Sequence, residues 1–235
     1  MQTPTQAYGW LTLAGIVLSV VFWSRLARRD SRLLTVYAAA LIGAFLGAKL
    51  VYFAAEGYRH LGAGDMWLQL ATGKTVLGGL LGGYLAVEAA KRLVGYAGVT
   101  GDWFATIVPF GILLGRVGCW VHGCCPGKVC DPAWFTVADS AGVTRWPAVP
   151  VEMLFNLGMI AVFWWLRDTD RLPGQHFHIY LMAYGGFRFL HEFFREEPKI
   201  LGPISGYHVA ALAVGGLGLG GFVLRRSPEG HAQNS

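Results

Sequence analysis

Three stretches of the sequence set ionisable side chains among apolar neighbours. One reads Gly115-Arg116-Val117-Gly118-Cys119-Trp120-Val121-His122-Gly123-Cys124-Cys125. A second reads Tyr184-Gly185-Gly186-Phe187-Arg188-Phe189-Leu190-His191-Glu192, and a third Gly47-Ala48-Lys49-Leu50-Val51-Tyr52. A guanidinium offers five donors in a planar fork that matches a phosphate oxyanion. Arg116 has no carboxylate at helical spacing, so its counter-charge must come from another helix or from a ligand. Tyr184, Arg188 and Glu192 recur every fourth residue, which puts them on one face of a helix. There Arg188 and Glu192 either neutralise each other or act together on a bound group.

All four cysteines lie between positions 119 and 130. Three chemistries suit Cys119, Cys124, Cys125 and Cys130. An even count in an oxidising compartment favours disulfides, with Cys130 as partner to one of the other three, since the adjacent Cys124 and Cys125 suit each other badly. With His122 the group could hold a metal, although the spacing matches no common zinc signature. A reactive thiolate beside Arg116 and His122 is the third reading.

The elements that must position these groups follow from composition. Of 235 residues, 54% are hydrophobic and only 14% charged, against roughly 25% charged in soluble domains. Mean hydropathy is +0.45. That leaves too little charge for a water-facing surface, and the aromatics and apolar runs exclude disorder. Glycine, 33 residues, is about twice as frequent as usual but lacks the three-residue period of collagen. The expectation is an all-α, multi-pass membrane protein.

Seven apolar segments are readable, about Tyr8–Trp23, Leu33–Ala54, Thr75–Leu93, Trp103–Val121, Pro150–Leu166, Phe177–Phe194 and Ile204–Leu224. They predict seven transmembrane helices in one polytopic domain over residues 1–235. The first segment lacks a basic leader and is followed by Arg25, Arg28, Arg29 and Arg32, which fits an uncleaved helix rather than a signal peptide. With the N-terminus outside and the C-terminus cytoplasmic, ten Lys and Arg fall inside and six outside, with Lys49, Arg116 and Arg188 within spans. The positive-inside rule favours that orientation. The net charge of +5 is mostly this topogenic signal and gives no reason to expect a nucleic-acid partner. Glu88, near the cytoplasmic end of its span, reads as interfacial. Lys49 either joins a site or snorkels to the interface. Glycines four apart, Gly43 with Gly47, Gly78 with Gly82, Gly79 with Gly83 and Gly111 with Gly115, suit close helix packing.

In order along the chain these motifs resemble those of the bacterial prolipoprotein diacylglyceryl transferases. Pro109-Phe110-Gly111 followed by Gly115-Arg116-Val117-Gly118 resembles the family signature. Tyr8-Gly9 resembles the opening of its first helix, Gly47-Ala48-Lys49-Leu50 its Gly-small-Arg-Leu, and Gly78-Gly79-Leu80-Leu81-Gly82 its third-helix glycine motif. Pro147 with Glu152 resembles Pro-Ser-Gln-x-Tyr-Glu, and Tyr184–Arg188 with Glu192-Phe193-Phe194-Arg195 resembles the sixth-helix motif.

The resemblance implies transfer of a diacylglyceryl group from phosphatidylglycerol to the lipobox cysteine of a lipoprotein precursor, in the bacterial cytoplasmic (inner) membrane, with no metal or organic cofactor. It implies that Arg116 and Arg188 hold the phosphate, that Tyr8 and Tyr184 donate hydroxyls and that Glu192 orients Arg188. Lys49, Gly78, Gly79, Gly115, Gly118 and Glu152 would line the substrate. Several polar family positions differ. A histidine before the paired glycines is Leu77, an asparagine is Cys119, an Asn-Gly-Glu is His122-Gly123-Cys124, and a Gln and Tyr are Val149 and Val151. His122, His191 or Glu152 would have to replace the missing base, although both histidines also read as satisfied interfacial side chains. The altered positions suggest another thiol acceptor, or the chain's own thiol as nucleophile. Two other classes remain open from sequence: a membrane thiol-redox or metal-handling protein built on the cysteine cluster, and a non-catalytic lipid-binding scaffold.

Overall fold

The computed structural model describes residues 4–28, 30–62, 64 and 66–226; the side chains of residues 4–9, 11, 12 and 14, Tyr8 among them, lie outside the described residues. The described chain is mostly helical: α1 (Pro4–Ala27), α2 (Arg32–Ala55), α3 (Met66–Thr72), α4 (Val76–Leu93), α5 (Gly101–His122), α6 (Ala148–Asp168), α7 (His176–His191) and α8 (Gly206–Arg226). Two small antiparallel hairpins interrupt them, β1 (Val137–Ala138) with β2 (Thr144–Arg145) and β3 (Lys199–Leu201) with β4 (Ile204–Ser205). Each expected apolar segment has a helix. The sixth ends early, at His191, and continues as a 3-10 turn over Glu192–Phe194.

Among the described residues, four helices are long and apolar enough to cross a membrane: α2, α5, α6 and α8. A fifth is added if α3 and α4, bent by 56° at the break between them, form one broken span. The short helix α3 carries no signal in the seven-segment reading. Ile42, Phe45, Leu46 and Leu50 project from α2 and are each more than half exposed, while Glu152, Asn156, Glu192 and Ser205 are fully buried. Apolar side chains outside and hydrogen-bonding groups inside is the arrangement a lipid solvent selects.

The chain forms two compact units. One holds residues 4–22, Thr100–Phe177 and Phe193–Glu197; the other holds Trp23–Val99, His178–Glu192 and residues 198–226. In the first, α5 packs on α6, and the segment after α7 pairs back through a Gly127–Arg195 bridge and a Lys128 N–H donated to the Phe194 carbonyl at 2.9 Å. Trp146 stacks on Phe194 with ring centroids 4.6 Å apart.

In the second unit the α2–α4 crossing is nearly backbone on backbone. A methyl group on Gly47 would sit 2.8 Å from Gly82 Cα, and one on Gly43 2.5 Å from the Gly82 carbonyl oxygen. Gly78 and Gly82 meet the same two glycines from the other side, so the packing expectation holds for these four. It does not hold for Gly79, whose added methyl would only reach the Ala44 carbonyl at 3.6 Å, nor for Gly111 and Gly115, which face open space. Helix α8 packs on α4 as well. At its end Arg225 pairs with Glu88 at 3.0 Å, and Lys91 lies 3.7 Å from the same carboxylate.

Candidate active site

In the first unit the counter-charge to Arg116 comes from a neighbouring helix. Arg116 Nη2 lies 2.9 Å from Glu152 Oε1, with the arginine side chain 11% exposed and the glutamate fully buried. Pro147 immediately precedes α6, which starts at Ala148, so Glu152 falls in its second turn. Asn156, one turn further on, donates to the Glu152 backbone carbonyl at 2.8 Å. An ion pair removed from water is held only where its geometry is good, and here it fixes the plane of the Arg116 fork. Gly115 and Gly111, on the same helix, leave open space where side chains would stand.

A second guanidinium belongs to this group. Arg195 is buried and pairs with Glu197 at 2.8 Å, close enough to Arg116, Glu152 and Cys125 for each to act on its charge. Charge counting assigns Arg195 to the outer aqueous side. Its burial follows from the pairing of its backbone with Gly127, a contact that nothing in local spacing foretells.

Helix α5 ends in a reversal that gathers thiols. Gly123 is left-handed (φ 73°), its N–H bonds the Trp120 carbonyl at 3.2 Å, and the Cys124 N–H reaches back to the Cys119 carbonyl at 3.2 Å. This is a Schellman-type terminus, which needs glycine at the left-handed position. Cys125 is also left-handed (φ 62°), a conformation that costs a residue with a Cβ of order 1 kcal/mol. Cys119, Cys124 and Cys125 therefore lie together, all sulfurs within 4.8 Å of one another. Arg116 Nη1 is 3.8 Å from Cys119 Sγ and 3.9 Å from Cys125 Sγ. Hydrogen bonds from Cys119 and Cys124 hold the Cys125 thiol well below the ordinary thiol range, and the Arg116 and Arg195 charges act in the same direction. All four cysteines are free thiols, so of the three readings the disulfide with Cys130 is not made. Cys130 stands in the extended segment beyond, its N–H on the Thr144 carbonyl at 3.1 Å. His122 is exposed at the end of α5 and is not part of the thiol group.

In the second unit Arg188 and Glu192 make the pair their spacing predicts, Nη2 to Oε2 at 2.9 Å, both buried. The Ser205 hydroxyl donates to the other Glu192 oxygen at 3.2 Å. The Ser205 N–H donates to His208 Nδ1 at 3.0 Å, which leaves the ring proton of a neutral His208 on Nε2. Ser205 and His208 join through the β4–α8 junction, thirteen or more residues from Glu192, and had no sequence signal. Tyr184 is fully buried between Tyr180 and Phe187, with centroids at 5.6 and 6.3 Å. His191 is buried and stacks on Phe187 at 5.0 Å. Lys49 is tied to the backbone of its own unit. Its ammonium donates to the Leu70 carbonyl at 2.8 Å and to the Ala71 carbonyl, at the end of α3. Gly78 is taken up by the crossing with Gly47, and Gly118 is buried within α5.

Each unit thus contains a helical arginine oriented by a buried carboxylate, a construction suited to holding an anionic oxygen in a medium of low dielectric constant. Comparison with known proteins points to the family that the motifs resemble. The family model described as prolipoprotein diacylglyceryl transferase matches residues 1–224. A phosphatidylglycerol–prolipoprotein diacylglyceryl transferase of Bordetella avium is 32% identical over 71% of this chain and 66% of its own length. Relatives of the same name from Chromohalobacter salexigens (31% identical, 83% of this chain, 78% of the relative) and Pseudoalteromonas translucida (29%, 90% and 86%) align over more. The chain therefore spans just under two thirds of the Bordetella relative and more of the other two. On the family match and these identities, the chain belongs to the prolipoprotein diacylglyceryl transferase family.

Proposed function

We propose that this protein transfers the diacylglyceryl group of phosphatidylglycerol, or a closely similar phospholipid, to a thiol of a lipoprotein precursor. The acceptor sulfur attacks the glycerol carbon that carries the phosphoester oxygen. A carbon–sulfur bond forms, the carbon–oxygen bond breaks, and glycerol phosphate departs with the electron pair, while the proton of the acceptor thiol passes to the departing phosphate. Charge develops on the leaving phosphate, so cations aimed there lower the barrier. Arg116, with Glu152 holding its fork, and Arg188, with Glu192 holding its own, take that role. Tyr184 and Tyr8 are its hydroxyl donors. The open space at Gly111 and Gly115 suits a lipid chain or head group lying along α5.

The setting is a multi-pass protein of seven spans in a bacterial cytoplasmic membrane, N-terminus outside and C-terminus inside. The observation that carries the reading is the buried pair of Arg116, on the Gly-Arg-x-Gly helix α5, with Glu152 of α6. It keeps a guanidinium charged and oriented inside a span, which a merely structural glycine-rich helix would have no need to do. The test is incubation of the purified protein with labelled phosphatidylglycerol and a lipobox peptide. A thioether-linked diacylglyceryl peptide is expected by mass spectrometry, with its loss in Arg116→Gln. No thioether, while a Bordetella relative forms it in parallel, would overturn the reading.

A further inference from the structure

The three sulfurs at the end of α5 are not used by diacylglyceryl transfer, and their arrangement has a chemistry of its own. A metal–thiolate bond of about 2.3 Å in a trigonal plane sets its sulfurs about 4 Å apart. Cys124 and Cys125 Sγ stand 3.9 Å apart, and no pair among the three exceeds 4.8 Å. Among the described residues no fourth histidine, cysteine or carboxylate joins the group. Three soft thiol donors suit a soft d10 cation that is content with three ligands, Cu(I), whereas Zn(II) held by the same three sulfurs would need a water as its fourth ligand.

Two further features favour such a site. The backbone keeps Cys125 at φ 62°, strain that persists only where the surroundings impose it and that turns this sulfur in among the others. The Arg116 guanidinium lies within 4 Å of two of the sulfurs. A bare cation would be repelled there, but three thiolates around one Cu(I) carry a net charge of −2, which that guanidinium stabilises. Binding releases the three thiol protons.

We infer that Cys119, Cys124 and Cys125 form a three-coordinate thiolate site for Cu(I), with Arg116 as its outer-shell cation. The site does not depend on the transfer reaction, so failure of either leaves the other standing.

The test is anaerobic titration of the full-length, reduced protein in detergent with Cu(I), in competition with a chromogenic chelator. One equivalent per chain is expected, with X-ray absorption reporting three sulfurs at about 2.3 Å. Ser at any one of positions 119, 124 or 125 weakens binding by more than the roughly 10–100-fold that losing an outer-shell partner costs. Cys130→Ser, a fold control outside the cluster, binds as the parent does. A stoichiometry below one half, an equal loss in Cys130→Ser, or a four-coordinate Zn(II) complex that Cu(I) does not displace would each overturn the assignment.

Discussion

Glu152→Leu is the most informative perturbation of the ion pair in the first unit. At 2.9 Å and an effective dielectric constant of about 20, the gross attraction is about 6 kcal/mol. Desolvation of the two ions takes back most of it, so the intact pair contributes little net stability. Leucine at 152 leaves the Arg116 charge buried without its carboxylate, which costs about 3–5 kcal/mol. For a chain of this size that lowers the melting temperature by roughly 6–20 °C. The second half of the prediction separates stability from chemistry. Arg116→Met combined with Glu152→Leu replaces both charges by apolar groups of similar volume and restores the melting temperature to near the parent value, yet forms no thioether product. The assay is thermal unfolding in detergent, read as the fraction eluting as folded protein, alongside thioether formation. A melting temperature unchanged in Glu152→Leu would refute the reasoning, as would a double variant no more stable than that single one.

Two further outcomes follow from the packing and from the thiols. Gly47→Ala brings a methyl group 2.8 Å from Gly82 Cα and still closer to the Gly78 carbonyl, which overpacks backbone that cannot yield and costs about 1–3 kcal/mol, whereas Gly79→Ala stays within about 0.5 kcal/mol; parallel thermal unfolding of the two variants distinguishes them. In the metal-free protein, the hydrogen bonds and cations that lower the Cys125 thiol keep it ionised as pH falls, while Cys119 and Cys125 raise the Cys124 thiol. Because the thiolate is the nucleophile, a brief iodoacetamide pulse at about pH 6.5 should label Cys125 ahead of Cys124 by peptide mass spectrometry, with the difference narrowing as pH rises.

Much of the fold was legible because the relevant signals are local. The run Leu33–Ala54 became α2 to within a residue at each end, since nothing in it competes with a lipid-facing helix. The Arg188–Glu192 pair was legible for the same reason, being one helical turn apart. What escaped depends on where distant segments land. Spacing required a partner for Arg116 from elsewhere, but only the packing of α5 on α6 brings Glu152 to it. Burial of Arg195 follows from its bridge to Gly127. Gly111 and Gly115 have the same interval as Gly43 and Gly47, yet an interval says only that a helix face is bare, not whether another helix covers it. The cysteine spacing resembled no metal signature because two of the sulfurs are gathered by left-handed backbone at Gly123 and Cys125 rather than by a regular element.

The break between α3 and α4 bears on how the protein is made. A helix that stops within lipid leaves its last carbonyls without partners. Here Lys49 supplies donors to Leu70 and Ala71, and the Ala48 carbonyl accepts the Thr75 N–H at 3.2 Å. Both groups belong to a segment that leaves the ribosome before residues 70–75 do. The bend thus finds its partners, the Lys49 ammonium and the Ala48 carbonyl of α2, in a segment already made when residues 70–75 emerge.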